Sequence, residues 1–218
     1  MNFAVSYSGG KDSALALYKM VKKGHNPVAL ITTVNVDQNR SWFHGVQSEL
    51  MSAVSESLRI PLIICECTSD GYTKAYEAGL EKARLAGADC CVFGDIDIEG
   101  HREWNEERCR KAGLSCLLPL WRQNRERLTL EGIGAGLKSM IKIVDVTKLD
   151  DSFLGRTLTA GLVEKIKATG IDVCGENGEY HTFVYDGPMF ASPVAFETGE
   201  IVDFGTHKAI DMKLIPGT

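Results

Sequence analysis

Short apolar, β-rich runs alternate with longer stretches of helical periodicity through the first two-thirds of the chain, and few architectures accept that alternation. Strands joined by crossover helices form a parallel sheet with both faces covered. Residues 2–7, 27–34, 61–66, 89–94, 115–118 and 140–146 are the expected strands. Most are continuous apolar runs, as expected of strands buried on both faces. Between them Val46, Leu50, Ala53, Val54 and Leu58 recur at helical spacing, as do Tyr72, Ala75, Tyr76, Gly79, Leu80 and Ala83. Both stripes read as core-facing. A first helix is expected over 12–23, stopped by Gly24 and Pro27. The last stretch changes character: 182–185, 194–196, 201–204 and 208–215 read as short strands around a turn at Glu197-Thr-Gly-Glu200. The expected organisation is an α/β domain over 1–148 with a region over 149–218, including a small β-rich appendage, packed on it. No low-complexity linker or internal repeat divides the chain.

Composition narrows the partners. The 218 residues are 44% hydrophobic, with 24 Lys+Arg against 29 Asp+Glu and a net charge of −5. That balance argues against a broad basic footprint for nucleic acid or an acidic membrane surface. No run approaches the ~20 apolar residues that span a bilayer, and the chain opens on Asn2-Phe-Ala-Val-Ser-Tyr7 without a basic region and cleavage site. A cytoplasmic location is expected. Seven cysteines, odd in number and without a Cys-x-x-Cys pair, read as reduced, packed thiols rather than a disulfide, zinc or iron–sulfur framework.

The most informative residues are Ser8-Gly-Gly-Lys-Asp-Ser13, between the first strand and the first helix. Consecutive glycines let backbone approach a ligand closely, and the helix start presents N–H groups and the positive end of its dipole. Lys11 adds a positive charge, Ser8 and Ser13 add hydroxyls, and Asp12 is a candidate Mg2+ ligand. A Walker loop fails here, because Ala4 stands at its first glycine and Asp12 at its hydroxyl position. The dinucleotide fingerprint fails too, having only two adjacent glycines to draw on.

This string resembles the PP-loop of the ATP pyrophosphatase superfamily. The resemblance implies a Rossmann-like parallel sheet of the adenine nucleotide alpha hydrolase type. It also implies ATP with Mg2+, cleavage between the α- and β-phosphates, and AMP and pyrophosphate as products. Carried over residue by residue, it gives Ser8, Gly9, Gly10, Lys11, Asp12 and Ser13 as the pyrophosphate-binding set, with adenine near Thr32, Thr33 and Val34 at the end of the second strand.

A second cluster, Gly175-Glu-Asn-Gly-Glu-Tyr-His-Thr-Phe-Val184, gathers turn residues and carboxylates ahead of a strand. Glu176 and Glu179 are candidates to take a proton from an incoming amine or to hold a second Mg2+, and His181 to orient an acceptor. The segment resembles the Gly-Glu-Gly-Gly-Glu-Phe-Glu-Thr signature of the diphthine ammonia ligase family. That family's Leu-Asp-x-Ser-Trp-Leu-Gly-Arg stretch is matched by Leu149-Asp-Asp-Ser-Phe-Leu-Gly-Arg156, and its Pro-x-Trp by Pro119-Leu-Trp121. Its glycine-led loop after the fourth strand is matched by Gly94-Asp-Ile-Asp-Ile-Glu-Gly-His-Arg102. The resemblance implies ammonia as nucleophile and an acceptor carboxylate, diphthine on elongation factor two. It implies Gly94 and Asp95 on the nucleotide side, and Arg156, Gly175, Glu176, Asn177, Gly178 and Glu179 on the substrate side. Asn177 replaces a signature glycine and His181 its last glutamate, departures of a bacterial-type variant that bear on the acceptor.

His44, beside Trp42 and Phe43, lies on the side where a parallel sheet places its ligand loops, and is a further candidate substrate contact. Arg122, Arg125 and Arg127 are read as a solvated basic loop. The leading expectation is an ATP-dependent amide ligase. Two alternatives stand beside it: a PP-loop enzyme acting on a tRNA base or another small carboxylate, and a non-catalytic ATP-binding sensor. An exposed edge in the appendage would make a homodimer plausible.

Overall fold

A computed structural model describes residues 1–42 and 44–215. The chain runs β1 (Asn2–Ser6), α1 (Lys11–Lys22), β2 (Asn26–Asn35), β3 (Arg40–Ser41), α2 (Ser48–Leu58), β4 (Leu62–Cys67), α3 (Tyr72–Leu85), β5 (Cys90–Val92), α4 (Glu99–Ala112) and β6 (Ser115–Leu117). It continues through α5 (Arg125–Gly134), β7 (Lys138–Asp145), α6 (Ala160–Ala168), β8 (Tyr180–Asp186), β9 (Phe196–Asp203) and β10 (His207–Leu214).

The first sheet is parallel in the order β4-β2-β1-β5-β6, with the two-residue β3 antiparallel against the end of β2. Chain order runs outward from β1 in one direction and then from β5 in the other. The reversal lies between those two strands, where a sheet of this kind opens a crevice at its carboxyl ends. One face is covered by α1 and α2, through Ala14, Leu17, Leu50 and Val54. The other is covered by α3 and α4, through Tyr76, Leu80, Ala83 and Cys109. This two-sided burial explains the continuous apolar strands. Helix α1 ends as expected: Gly24, at φ +82°, follows its last turn.

The second sheet is antiparallel, in the order β8-β7-β10-β9. Residues 140–146, expected in the parallel sheet, form most of β7 in this one instead. The strand is buried along nearly its whole length, so its apolar run carries the signature of a core strand without indicating which sheet receives it. The expected turn at 197–200 is likewise strand: Glu197 to Glu200 lie within β9, and Gly199 faces Asp211 of β10. The chain reverses at Gly205, at φ +85°, where Asp203 Oδ1 accepts its N–H.

The two sheets share a core. Phe183, Val184, Met140 and Met212 of the second pack with Phe3, Val5, Leu15 and Leu50 of the first. Strand β8 also bonds to the loop after β1: Val184 N–H donates to Gly9 O at 2.8 Å, and Lys11 N–H donates to Thr182 Oγ1 at 3.0 Å. The appendage therefore forms one wall of the crevice. All seven cysteines are free thiols, and among the described residues no helix is long and apolar enough to cross a membrane.

Candidate active site

The crevice at the ends of β1 and β5 is a cavity of about 410 Å³. The loop after β1 forms its floor. Ser13 Oγ donates to Gly10 O at 2.9 Å and lies 3.3 Å from Ser8 Oγ, closing the loop on the first turn of α1. Gly10 has no room for a side chain, because a Cβ there would stand 2.3 Å from Cε1 of His44. Gly94 is equally constrained: its Cβ would meet the backbone of Asp12 and Ser13 at 2.7 Å. The end of β5 is thereby pressed against the start of α1, which fixes Asp95 beside the loop.

Lys11 lies at the base of the cavity. Its Nζ is 2.6 Å from Asp12 Oδ2 and 3.4 Å from Cys174 Sγ, and sits over the Tyr180 ring. Burial alone would lower its pKa, but the Asp12 carboxylate overcomes this and holds it well above the ordinary lysine value. The same burial, with Asp12 nearby, pushes the Cys174 thiol up to about 12 and keeps it protonated. Lys11 is thus a fixed cation.

The loop before β8 supplies the opposite wall. Gly175, at φ +71°, sits where a Cβ would meet Tyr180 O at 2.9 Å, and the turn it permits brings Glu176 into the cavity. Burial, then the charges of Asp12 and Asp95, raise Glu176 to about 7, with Lys11 opposing. Its Oε1 accepts from Ile96 N–H at 3.4 Å, which joins this wall to the loop after β5. Glu179 occupies a different place. Buried beneath the turn, it accepts from Asn177 N–H at 3.0 Å and Asn177 Nδ2 at 3.2 Å, so it braces the loop rather than lining the cavity. Asn177 is exposed and Gly178, at φ +80°, completes the turn.

His44 and His181 meet edge to face with ring centres 4.9 Å apart. His44 Nδ1 donates to Thr182 O at 2.8 Å, leaving Nε2 unprotonated. Burial and the neighbouring His181 lower His44 to about 3, and burial with Lys11 lowers His181 to about 4. Both are neutral at physiological pH.

Residues that sequence reasoning did not place at the site form its third side. Tyr72 and Tyr76 of α3 stack with centres 6.3 Å apart, Trp104 of α4 tilts against both, and Phe93 lines the same cavity. The tyrosines belong to a stripe read as core, and they do border the core while exposing ring surface to the cavity. Asn105 and His101 of α4 hold Asp95, at 2.9 and 3.0 Å. Their spacing of four residues places both on one helix face.

Other expected residues are less central. Thr32 and Thr33 line a small recess of about 40 Å³ that shares Ser6, Ser8, Tyr72 and Tyr76 with the main cavity; Val34 is buried in β2 and lines neither. Arg156 is exposed, lies over the Phe153 ring and is not brought to the cavity. Trp42 donates from Nε1 to Cys67 Sγ at 3.1 Å and packs edge-on against Tyr72, a cover over the recess; Phe43 lies outside the described residues. Arg125 departs from the solvated-loop expectation. It opens α5 and forks Asp97 at 2.5 and 2.8 Å while reaching Asp172 at 2.6 Å, so it ties the loop after β5 to the loop that carries Glu176.

Residues 1–116 match the model of the diphthamide synthase N-terminal domain, and residues 124–214 that of the diphthamide synthase C-terminal domain. The chain belongs to the diphthamide synthase family. Among its relatives, the diphthine–ammonia ligases of mouse and human are each 30% identical, over 93% of this chain and 85% of their own length. A solved structure described as a predicted subunit of tRNA methyltransferase from Methanocaldococcus jannaschii overlaps 86% of this chain and 98% of its own, at 15% identity and a TM-score of 0.47. By its family the chain is an enzyme of the ligase class.

Proposed function

We propose that this chain is an AMP-forming, ATP-dependent amide ligase working in the cytoplasm, which adenylates an acceptor carboxylate and transfers ammonia to it. The observation that carries the reading is the convergence of Ser8, Lys11, Asp12, Ser13, Gly94 and Glu176 on one cavity at the sheet's reversal point, within a chain of this family. Backbone N–H groups, hydroxyls and Lys11 there suit a leaving pyrophosphate, and the aromatic side of Tyr72, Tyr76 and Trp104 offers flat surfaces to a base.

The residues fit Mg2+. Asp12, Asp95 and Glu176 place three carboxyl groups around the one cavity that the phosphate-binding loop floors. Mg2+ characteristically takes one or two carboxylates together with phosphate oxygens, and Asp12 would hold it. When bound, the metal supplies neutralisation of phosphate charge.

The chain's own groups then divide the work. Lys11 and the loop bind the β- and γ-phosphates and steady the departing charge. Glu176, which lines the cavity and is tied to the loop after β5 through Ile96 N–H, is placed to meet the entering acceptor. His44 and His181, held neutral, shape the pocket wall beside Lys11 without adding charge. Glu179 and Asn177 set the loop that carries Glu176.

The relatives' names point to diphthine as the acceptor, and we place that diphthine on elongation factor two. The exchange at His181 bears on that choice, since a neutral ring stands where the family signature has a carboxylate. Incubation with Mg-ATP, ammonium and diphthine-bearing elongation factor two, with AMP separated from ADP, tests the reading. AMP that depends on the factor supports it; ADP as the product refutes it.

A further inference from the structure

Three histidines line the cavity, and two are committed elsewhere. His44 bonds a backbone carbonyl and His181 packs edge-on against the His44 ring, both partly buried. His101 is built differently. It lies in the first turns of α4, its Nδ1 is 3.0 Å from one oxygen of Asp95, and Asn105 Nδ2 holds the other oxygen at 2.9 Å. Asp95 follows Gly94, which the close approach of α1 pins in place. The carboxylate thus accepts from Nδ1 and leaves Nε2 with its lone pair, and the ring, 58% exposed, stands at the cavity mouth.

Resting on the ligase reading, we propose that His101, oriented by Asp95, takes the proton from ammonium as it enters the cavity. Ammonia is almost wholly protonated at neutral pH and has no lone pair to attack with until that proton leaves. An N–H bond of ammonium breaks and its proton passes to His101 Nε2. The freed lone pair forms the C–N bond at the activated acyl carbon. The bond from that carbon to the adenylate oxygen breaks, its electron pair leaving with AMP, and the second proton released from nitrogen passes to AMP and solvent.

The groups facing His101 suit the task. Asp95, from the loop after β5, stabilises the imidazolium by its hydrogen bond; burial opposes, and the charges of Asp95 and of Glu176, from the loop before β8, add to the stabilisation, so that the pKa lies above the ordinary histidine value. On its own helix, Arg102 is occupied by Glu99. Neutral His101 is the active form, so ammonia-dependent turnover rises with pH through that elevated value.

The test compares wild type with His101→Gln and Asp95→Asn in the full chain, using Mg-ATP, diphthine-bearing elongation factor two and either ammonium or hydroxylamine, which is mostly unprotonated at neutral pH. The expected loss in kcat/KM is on the order of a hundredfold with ammonium and only severalfold with hydroxylamine. The acid limb of the Asp95→Asn profile moves to lower pH. Equal losses with both nucleophiles, or none with ammonium, overturn the assignment. Nitrogen-15 NMR of the imidazoles gives a readout that needs no acceptor: His101 titrates above free histidine in the wild type and falls back in Asp95→Asn. Titration at or below the free value in the wild type also overturns it. Absence of AMP formation by the wild type counts against the ligase reading instead, and the NMR titration then decides the pairing of His101 with Asp95.

Discussion

Gly94→Ala is the smallest change that strikes the site's construction. A Cβ at this position falls 2.7 Å from the carbonyl carbon of Asp12 and from Ser13 N, 0.7 Å short of the 3.4 Å at which ordinary contact begins. Both neighbours are backbone of the helix turn that carries Lys11 and Asp12, so no side chain can rotate away. Either β5 or the start of α1 must move by several tenths of an ångström. Overpacking of this kind costs roughly 1–3 kcal/mol of stability. The effect on activity should be larger, because a misplacement near 1 Å costs on the order of a hundredfold in rate. Thermal melting and denaturant titration measure the first, and ATP affinity with acceptor-dependent AMP formation the second. A variant that melts like the wild type and retains full turnover would refute the argument that β5 and α1 are held in contact to form the site.

Arg125→Ala, which releases the loop of Asp97 from the loop of Glu176, should lower ammonia transfer by roughly ten- to a hundredfold while leaving ATP affinity nearly intact; Arg125→Lys should rescue it poorly, since an ammonium cannot fork two carboxylates, and a matched loss of ATP affinity would contradict the division. Asp12→Ala should abolish AMP formation with the fold intact by circular dichroism, and unchanged turnover would remove it from the site. Glu176→Gln should spare ATP binding and impair transfer, read by separating nucleotide binding from amide formation. Lys142 is a buried cation of β7 whose pKa burial and then Arg40 lower to about 8, with Asp211 opposing. Because the unfolded chain binds that proton more tightly, wild-type stability should rise with pH between about 8 and 10.5. Lys142→Met should flatten that rise and recover up to roughly 3 kcal/mol at pH 7, measured by urea unfolding across the range; an unchanged slope would show that Lys142 does not carry it.

Much of this was legible in the residues because local chemistry and global topology agree. The alternation of apolar runs with helical stripes required a covered parallel sheet, and Ser8 to Ser13 could only lie at a strand's carboxyl end. The limits have equally physical causes. Strand β7 is buried almost throughout, and an apolar run does not say whether its neighbours run parallel or antiparallel. Glu197 to Glu200 has turn composition, yet it stays within β9, where the register shifts at Gly199 and Glu200 opposite Asp211 instead of reversing the chain. At the site, residues adjacent in sequence were separable only in three dimensions: Glu176 enters the cavity whereas Glu179, three positions on, is spent on Asn177. Tyr72 and Tyr76 were hidden because an aromatic ring on a core stripe looks the same whether its far face meets protein or an open cavity. Arg125 gave no local signal, since its partners lie 28 and 47 residues away.

The central claim is that this cavity couples cleavage of ATP at the α-phosphate to amidation of a carboxylate. Its most direct test uses α-labelled ATP with Mg2+, ammonium and diphthine-bearing elongation factor two, followed by separation of AMP from ADP and mass analysis of the factor. The account predicts AMP and amidated factor in equal amounts, each absent when the acceptor or ammonium is withheld. ADP as the labelled product, or AMP formed without any gain of amide on the factor, would contradict it.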